Sequence, residues 1–438
     1  MRLLRSTVRA LDPGLPRPVW LLQAGGLANM FGNGLVVPFL IIYLHNVRGV
    51  SLGVAGLVAA SNAAVALVSG PVGGALADRV GPRRTLTASL VIMAGAYALF
   101  PLIREPWHAF TLNALAGVGS GAFWPSQGSL LTKLSPRDRR HAAFAQQRVT
   151  MNLGLGLGAL VGGVIAAADR PESFTMLFAL DAVTFLAFAF LLRRVPAPPV
   201  GGAYEEAARS GGGFGAVLRD RPFMAFMGLN TIVIAASIAP FSELFPVFAK
   251  GEAGVSEGGI GLIFFLNTLT VVLVQLPVAR LAEGHRRMRA LAAMAVLFAC
   301  TWLLVLAGGL WLEAAAATVL FAAAFVVFAL GQCLHGTVQG PLVSDLAPPR
   351  LLGRYMALSA SSWQVAFVIG PAAGGFILEA EPFALWPLAA VLCLVVAGGA
   401  LALERTLPPG VRRTPRRVPA FGEPAPVPAP GVVSEPSG

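Results

Sequence analysis

Charged side chains are scarce. Asp, Glu, Lys and Arg make up 12% of the 438 residues, against ~25% in an ordinary soluble domain. A chain this poor in charge cannot cover a water-facing surface, which excludes a soluble globular protein. Lysine is almost missing, with only Lys133 and Lys250; with arginine, alanine and glycine abundant, this composition points to a GC-rich bacterial genome. Cys300, Cys333 and Cys393 are the whole cysteine complement, and each lies in an apolar run. That excludes a disulfide framework and CxxC-type metal spacing. No HExxH, GxSxG or Walker pattern is present, so no enzyme activity, cofactor or metal is expected. The formal net charge is +11, but the basic residues are dealt out among loops and form no single face, so no nucleic-acid partner is expected.

Long apolar runs are what the sequence has in quantity, at 56% hydrophobic residues. A helix needs about 20 mostly apolar residues to cross a bilayer. Such runs fall at 19–44, 52–77, 85–103, 107–133, 142–167, 173–192, 223–249, 258–279, 290–311, 314–344, 355–378 and 383–403. The first is too long for a secretory leader and is read as a retained helix. With twelve spans, Arg48, Arg104, Arg170 and Lys250 fall on one side and Arg148 inside a span, while every other Lys and Arg falls on the opposite side. The positive-inside rule then places both chain ends in the cytoplasm. The expected organisation is a basic tail over 1–18, a six-helix bundle over 19–192 and a linker over 193–222. A second bundle over 223–403 and a disordered Pro-rich tail over 404–438 complete it.

The halves are related. The stretch 119–165 lies on 331–377 without a gap, pairing Gly119, Gln127, Gly128 and Pro136 with Gly331, Gln339, Gly340 and Pro348. Gly158, Gly162 and Gly163 likewise meet Gly370, Gly374 and Gly375.

Between spans 2 and 3 runs "GGALADRVGPRR". Its Gly74, Asp78, Arg79, Gly81, Arg83 and Arg84 resemble the loop signature G-x-x-x-D-R-x-G-R-R of the major facilitator transporters, with Pro82 as a departure. In span 5, Gly154, Gly158, Gly162 and Gly163 resemble the glycine element of the family's exporters, with Ala159 in its proline position. Span 11 carries Gly370, Pro371, Gly374 and Gly375. The resemblance, over about residues 19–403, implies an all-α fold of two pseudo-symmetric six-helix bundles. It also implies a gate in which Asp78 sits against the start of span 11 in one state and lets go in the other. The glycine spacing admits two readings, close helix packing or a hinge.

Polar groups within spans mark a pathway or a buried pair. Arg148, about 9 Å into span 5, either snorkels, bonds to Asn152 or faces the pathway. Asp181 in span 6 is a helix-packing group or a pathway group. Glu243 in span 7 is the leading candidate to bind and release a proton or to contact a cation. His335 either packs or titrates, and Asn33, Gln127, Asn230 and Gln339 complete the set expected at the cavity. Asn113 stands where related proton-coupled drug exporters often carry arginine, and Glu283 is the candidate counterpart of Asp78. The expected function is secondary active, proton-coupled export of amphipathic or aromatic small molecules across a bacterial inner membrane by a monomer. Uptake of a polar metabolite by the same fold is the alternative, and a non-transporting sensor or scaffold a third.

Overall fold

The computed structural model describes residues 14–198, 214–348 and 351–414. Its first half holds α1 (Arg17–Val47), α2 (Leu52–Arg79), α3 (Pro82–Leu102), α4 (Pro106–Leu134), α5 (Arg140–Ile165) and α6 (Pro171–Arg194). The second holds α7 (Arg221–Glu243), α8 (Glu257–Leu281), α9 (Arg287–Trp311), α10 (Ala314–Leu346), α11 (Leu352–Ala380) and α12 (Leu385–Leu403). Each of the twelve apolar runs lies on one of these helices. Eleven of the described helices are long and apolar enough to cross a membrane. The exception, α4, has 29 residues and is thus ~43 Å long. Asn113, Ser120, Ser126, Gln127 and Lys133 lower its hydropathy. It packs along both α2 and α3, and a helix so enclosed needs less apolar surface.

The described ends of the chain and the α2–α3, α4–α5 and α10–α11 turns lie together at what we term the basic end. The α1–α2, α5–α6, α7–α8 and α11–α12 connections lie at the far end. Turn chemistry follows from the residues. Gly81 has φ of 103°, which a side chain would resist, and Pro82 starts α3, where no amide hydrogen is needed. Two helices are interrupted near the far end. In α1 a 3-10 turn at Val37–Phe39 is followed by a π turn at Tyr43–Val47. In α7 a π turn at Ile234–Ile238 precedes a break at Leu244, after which Phe245–Gly251 continues. Pro38, Pro240 and Pro246 each remove a backbone donor at these places.

Each half has its own aromatic core. Tyr43, Phe100, Phe174, Phe178 and Phe185 fill the first, where the Tyr43 hydroxyl donates to the Phe100 carbonyl at 3.1 Å. Phe241, Phe325, Phe328, Trp302 and Trp386 fill the second.

Residues 199–213, half of the expected linker, lie outside the described residues; its last part includes a short helix, Phe214–Leu218. The tail departs from expectation at its start. Residues 404–414 fold back on the α8–α9 turn: the Gly284 amide donates to Thr414 O at 2.9 Å and the Arg287 amide to Arg412 O at 2.9 Å. Arg286 also pairs with Glu404 at 2.8 Å. These backbone bonds offset the ordering entropy that composition alone leaves unpaid. The Pro-rich stretch beyond 414 lies outside the described residues.

Candidate functional site between the two halves

The halves meet at the far end through three helix pairs, α2 with α11, α5 with α8, and α1 with α7. Two of these crossings are built alike. On α2, a methyl group at Gly56 would overlap the Pro371 carbonyl oxygen of α11, and one on Gly375 would come within 2.6 Å of Leu52 O. On α8, a methyl at Gly261 would overlap the Ala159 carbonyl oxygen of α5, and one on Gly163 would overlap Glu257 O. Backbone thus lies on backbone, which only glycine permits. Ala159 and Pro371 are repeat partners, and both touch the opposing helix through a carbonyl. The proline missing at Ala159 therefore costs no contact.

The glycines singled out by spacing divide into two kinds. Gly154, Gly158 and Gly162 pack α5 against α1 in their own half, while Gly370 meets Ala235 and Ala239 of α7 and Gly374 meets Leu244. Only Gly163 and Gly375, with Pro371, face the other half. Their partners Gly56 and Gly261 were not anticipated, although a shared signal was present. Ser51–Gly56 and Ser256–Gly261 both read S-x-G-x-x-G. In each, the serine caps the helix start, accepting from Val54 N at 3.4 Å and from Gly259 N at 3.1 Å.

Two carboxylates tie the halves at the same end, and neither was anticipated. Glu379 Oε2 on α11 accepts from the Gly53 amide of α2 at 2.7 Å. Glu257 Oε1 at the start of α8 accepts from the Ala168 amide just past α5 at 2.9 Å and pairs with Lys250 at 2.8 Å. Such a charge-assisted contact is worth about 1 kcal/mol. Replacing Glu257 or Glu379 by Gln is expected to raise the far-end-open population by roughly 5-fold each. Thiol labelling of a cysteine in place of Leu52, which is part-buried at the same seal, reads this out, and unchanged labelling would deny the contacts a gating role.

At the basic end the halves part. Val72 and Leu76 on α2 are exposed, as are Leu352 and Met356 on α11. Asp78 is half-buried and makes no hydrogen bond or ion pair among the described residues. Arg83 Nη1 donates to Val195 O at 2.8 Å, which ties the start of α3 to the end of α6. Arg79 and Arg84 are exposed, and Gly74 packs near Pro125 of α4. Glu283 lies in the turn on which 404–414 docks, so the second half presents a covered counterpart of the Asp78 turn.

The polar groups within the membrane are spread over several places. Asp181 on α6 is fully buried, and its Oδ1 and Thr184 Oγ1 fill the space that a side chain on Gly32 of α1 would take. Asp181 Oδ2 has no partner, and nor has either side-chain polar atom of the buried Asn29. Asn33 donates to Asn29 O at 3.0 Å, and Gln127 faces Gly26 of α1. Asn113 donates to Val58 O at 2.5 Å and so packs α4 on α2. In the second half His335 Nε2 meets Asn230 Oδ1 at 2.8 Å, and Asn230 donates to Ser362 at 2.9 Å. Gln339 donates to Ser359 at 2.7 Å. His335 is thus buried among α7, α10 and α11, beside the Trp363 ring at 5.7 Å. Glu243 ends α7, in the segment that packs on the α1 break at Val37–Phe39, and its Oε2 is buried without a partner.

Arg148 is exposed, and its guanidinium reaches out of the first half. A methyl on Gly336 of α10 would lie 2.7 Å from Arg148 Nη1 and 3.4 Å from Gln275 Oε1 of α8. The expected Asn152 bond goes to the Arg148 carbonyl, at 2.9 Å, and not to its side chain.

The profile of the Major Facilitator Superfamily matches residues 23–254 and again 229–434, one match per half. The chain belongs to the Major Facilitator Superfamily. Among relatives, a Na(+), Li(+), K(+)/H(+) antiporter of Planococcus maritimus is 23% identical over 77% of this chain and 84% of its own. Multidrug resistance protein MdtH of Cronobacter sakazakii (strain ATCC BAA-894) is 26% identical over 70% and 73%. A crystal structure of a POT family transporter in complex with 5-aminolevulinic acid superposes with a TM-score of 0.75 at 15% identity, covering 89% of this chain and 96% of that one. Facilitators are membrane transporters and not enzymes, and their substrate sites lie between the halves near the midplane. Arg148 of α5 approaches Gln275 of α8 over Gly336 of α10, and Gln275 bonds to Thr337 at 3.4 Å, so these three helices of the two halves meet here.

Proposed function

We propose that this facilitator is a proton-coupled exporter of amphipathic or aromatic small molecules, working in a bacterial inner membrane with its basic end in the cytoplasm. The observation that carries the reading is the far-end seal. Glycine crossings and two carboxylates close one end while the other stays apart, which is one half of an alternating-access cycle. Lys and Arg counts favour the basic end as the cytoplasmic one. The names of the two relatives, an antiporter and a multidrug resistance protein, support exchange and export.

Glu243 suits the coupling role because of its position. It lies in the α1–α7 part of the seal, so opening the far end uncovers it to that side and closing the far end withdraws it. A carboxylate moved in this way can exchange its proton with one side at a time. The test uses everted vesicles carrying an imposed proton gradient and an aromatic dye. Gradient-dependent uptake into the vesicle lumen is expected, and Glu243→Gln should abolish uphill movement while sparing dye-for-dye exchange. Unaltered gradient dependence in that variant would remove Glu243 from the coupling. Accumulation of a polar solute in the reverse direction would replace export by uptake.

A further inference from the structure

We infer that Arg148 is the anion-recognition residue of the central cavity and that the substrate is an amphipathic organic anion. The inference deepens the transport reading above and rests on the cavity being the transport site.

Arg148 lies eight residues past the start of α5, about 12 Å into the bundle at 1.5 Å per residue. A charge at that depth is retained where it faces a wet cavity, a counter-ion or a substrate. The counter-ion is missing: Arg148 makes no ion pair and no side-chain hydrogen bond among the described residues. The two carboxylates buried within the helices are placed elsewhere. Asp181 is packed against Gly32 of α1, and Glu243 sits at the α1 break in the far-end seal. Asp345, at the basic end, is already bonded to Arg287 at 2.5 Å.

The surroundings of the guanidinium are arranged and not incidental. Following the α5–α8 crossing from Gly163 on Gly261 and Gly156 on Thr268 brings Arg148 level with Gln275. The Gln275 amide nitrogen donates to Cys333 O at 3.2 Å and to Thr337 Oγ1 at 3.4 Å. This turns its carbonyl oxygen toward the same point over Gly336 that Arg148 Nη1 approaches. Gly336 leaves room for the guanidinium where any side chain would push it away. Gln332, one turn along α10 from Gly336, has a buried Oε1 without a partner. A cation thus stands beside the neutral Gln275 amide with its donors uncommitted. A carboxylate suits those donors bidentately, whereas a cationic drug would meet a like charge.

The test uses purified full-length protein in lipid nanodiscs and two probes of one shape and opposite charge, 1-naphthylacetate and 1-naphthylmethylammonium. Wild type is expected to bind the acetate at least ~10-fold more tightly, and Arg148→Gln to weaken it roughly 30–100-fold with the ammonium little changed. Arg148→Lys should keep part of the preference, since it keeps the charge and loses the fork. Gly336→Ala, which displaces the guanidinium without removing it, should lower acetate affinity less and serves if the Gln variant fails to fold. Equal binding of both probes by wild type, preference for the ammonium, or unchanged acetate binding in Arg148→Gln would overturn the inference. Acetate binding without flux in proteoliposomes would leave the anion site standing and remove the transport reading.

Discussion

Replacing Gly56 by Val is expected to cut transport at least ~100-fold while leaving membrane insertion intact. The side chain would have to occupy the place of the Pro371 carbonyl oxygen. That atom belongs to a backbone held in α11, so it cannot swing aside as a flexible side chain would, and the helices must separate. Separation is a state the protein needs in its cycle, so the variant should fold yet stay open at the far end. Gly163→Val should behave alike, because it meets the Glu257 carbonyl and Gly261 Cα of α8. Gly95 and Gly128 have nothing within 4 Å of an added methyl, and valine there should be nearly neutral. Transport assays on the four variants, with thiol labelling of a far-end cysteine, check this. Equal loss at Gly95 and Gly56 would show only a general intolerance of bulk.

Asp78→Asn should push the protein the other way. Here Asp78 is half-buried without a hydrogen bond or ion pair, and the basic ends of α2 and α11 are apart. In the gate that the resemblance implies, their approach would bring its carboxylate against the positive start of α11. A contact of that kind is worth about 0.3–1 kcal/mol when exposed and ~2 when partly buried. Losing it should shift the equilibrium roughly 2–30-fold toward the state seen here and slow transport by about the same factor. The far end should label less readily than in wild type, opposite to the Gly56 variant. Full transport by Asp78→Asn would confine the α2–α3 turn to a topological role.

The fold was legible because its signals are long and repeated. Twelve runs of membrane-crossing length, one-sided arginines and the 119–165 stretch repeated at 331–377 agree with one another, and no local exception could overturn all three. The site was less legible. Gly163 and Gly375 were found, but spacing on a helix says which residues share a face and not which neighbour that face meets. Gly154, Gly158 and Gly162 therefore looked the same as Gly163 until the structure placed α1 against the first three. Gly56 and Gly261 escaped because one glycine per crossing makes no periodic pattern; comparing the two S-x-G-x-x-G helix starts would have found them. Glu257 and Glu379 lie at helix ends, where a carboxylate reads as ordinary loop charge. The fold-back of 404–414 depends on backbone bonds to the α8–α9 turn, which composition does not encode.

Alternating access here requires rigid halves that close one end of the protein as they open the other. Spin labels at Val164 and Leu262 report the far end of the α5–α8 crossing, and labels at Leu76 and Leu352 the basic end of the α2–α11 pair. Measured in lipid nanodiscs with and without transported substrate, the first distance is expected to lengthen in the same molecules in which the second shortens. Distances that change in the same sense, or a basic end that never closes, would contradict it.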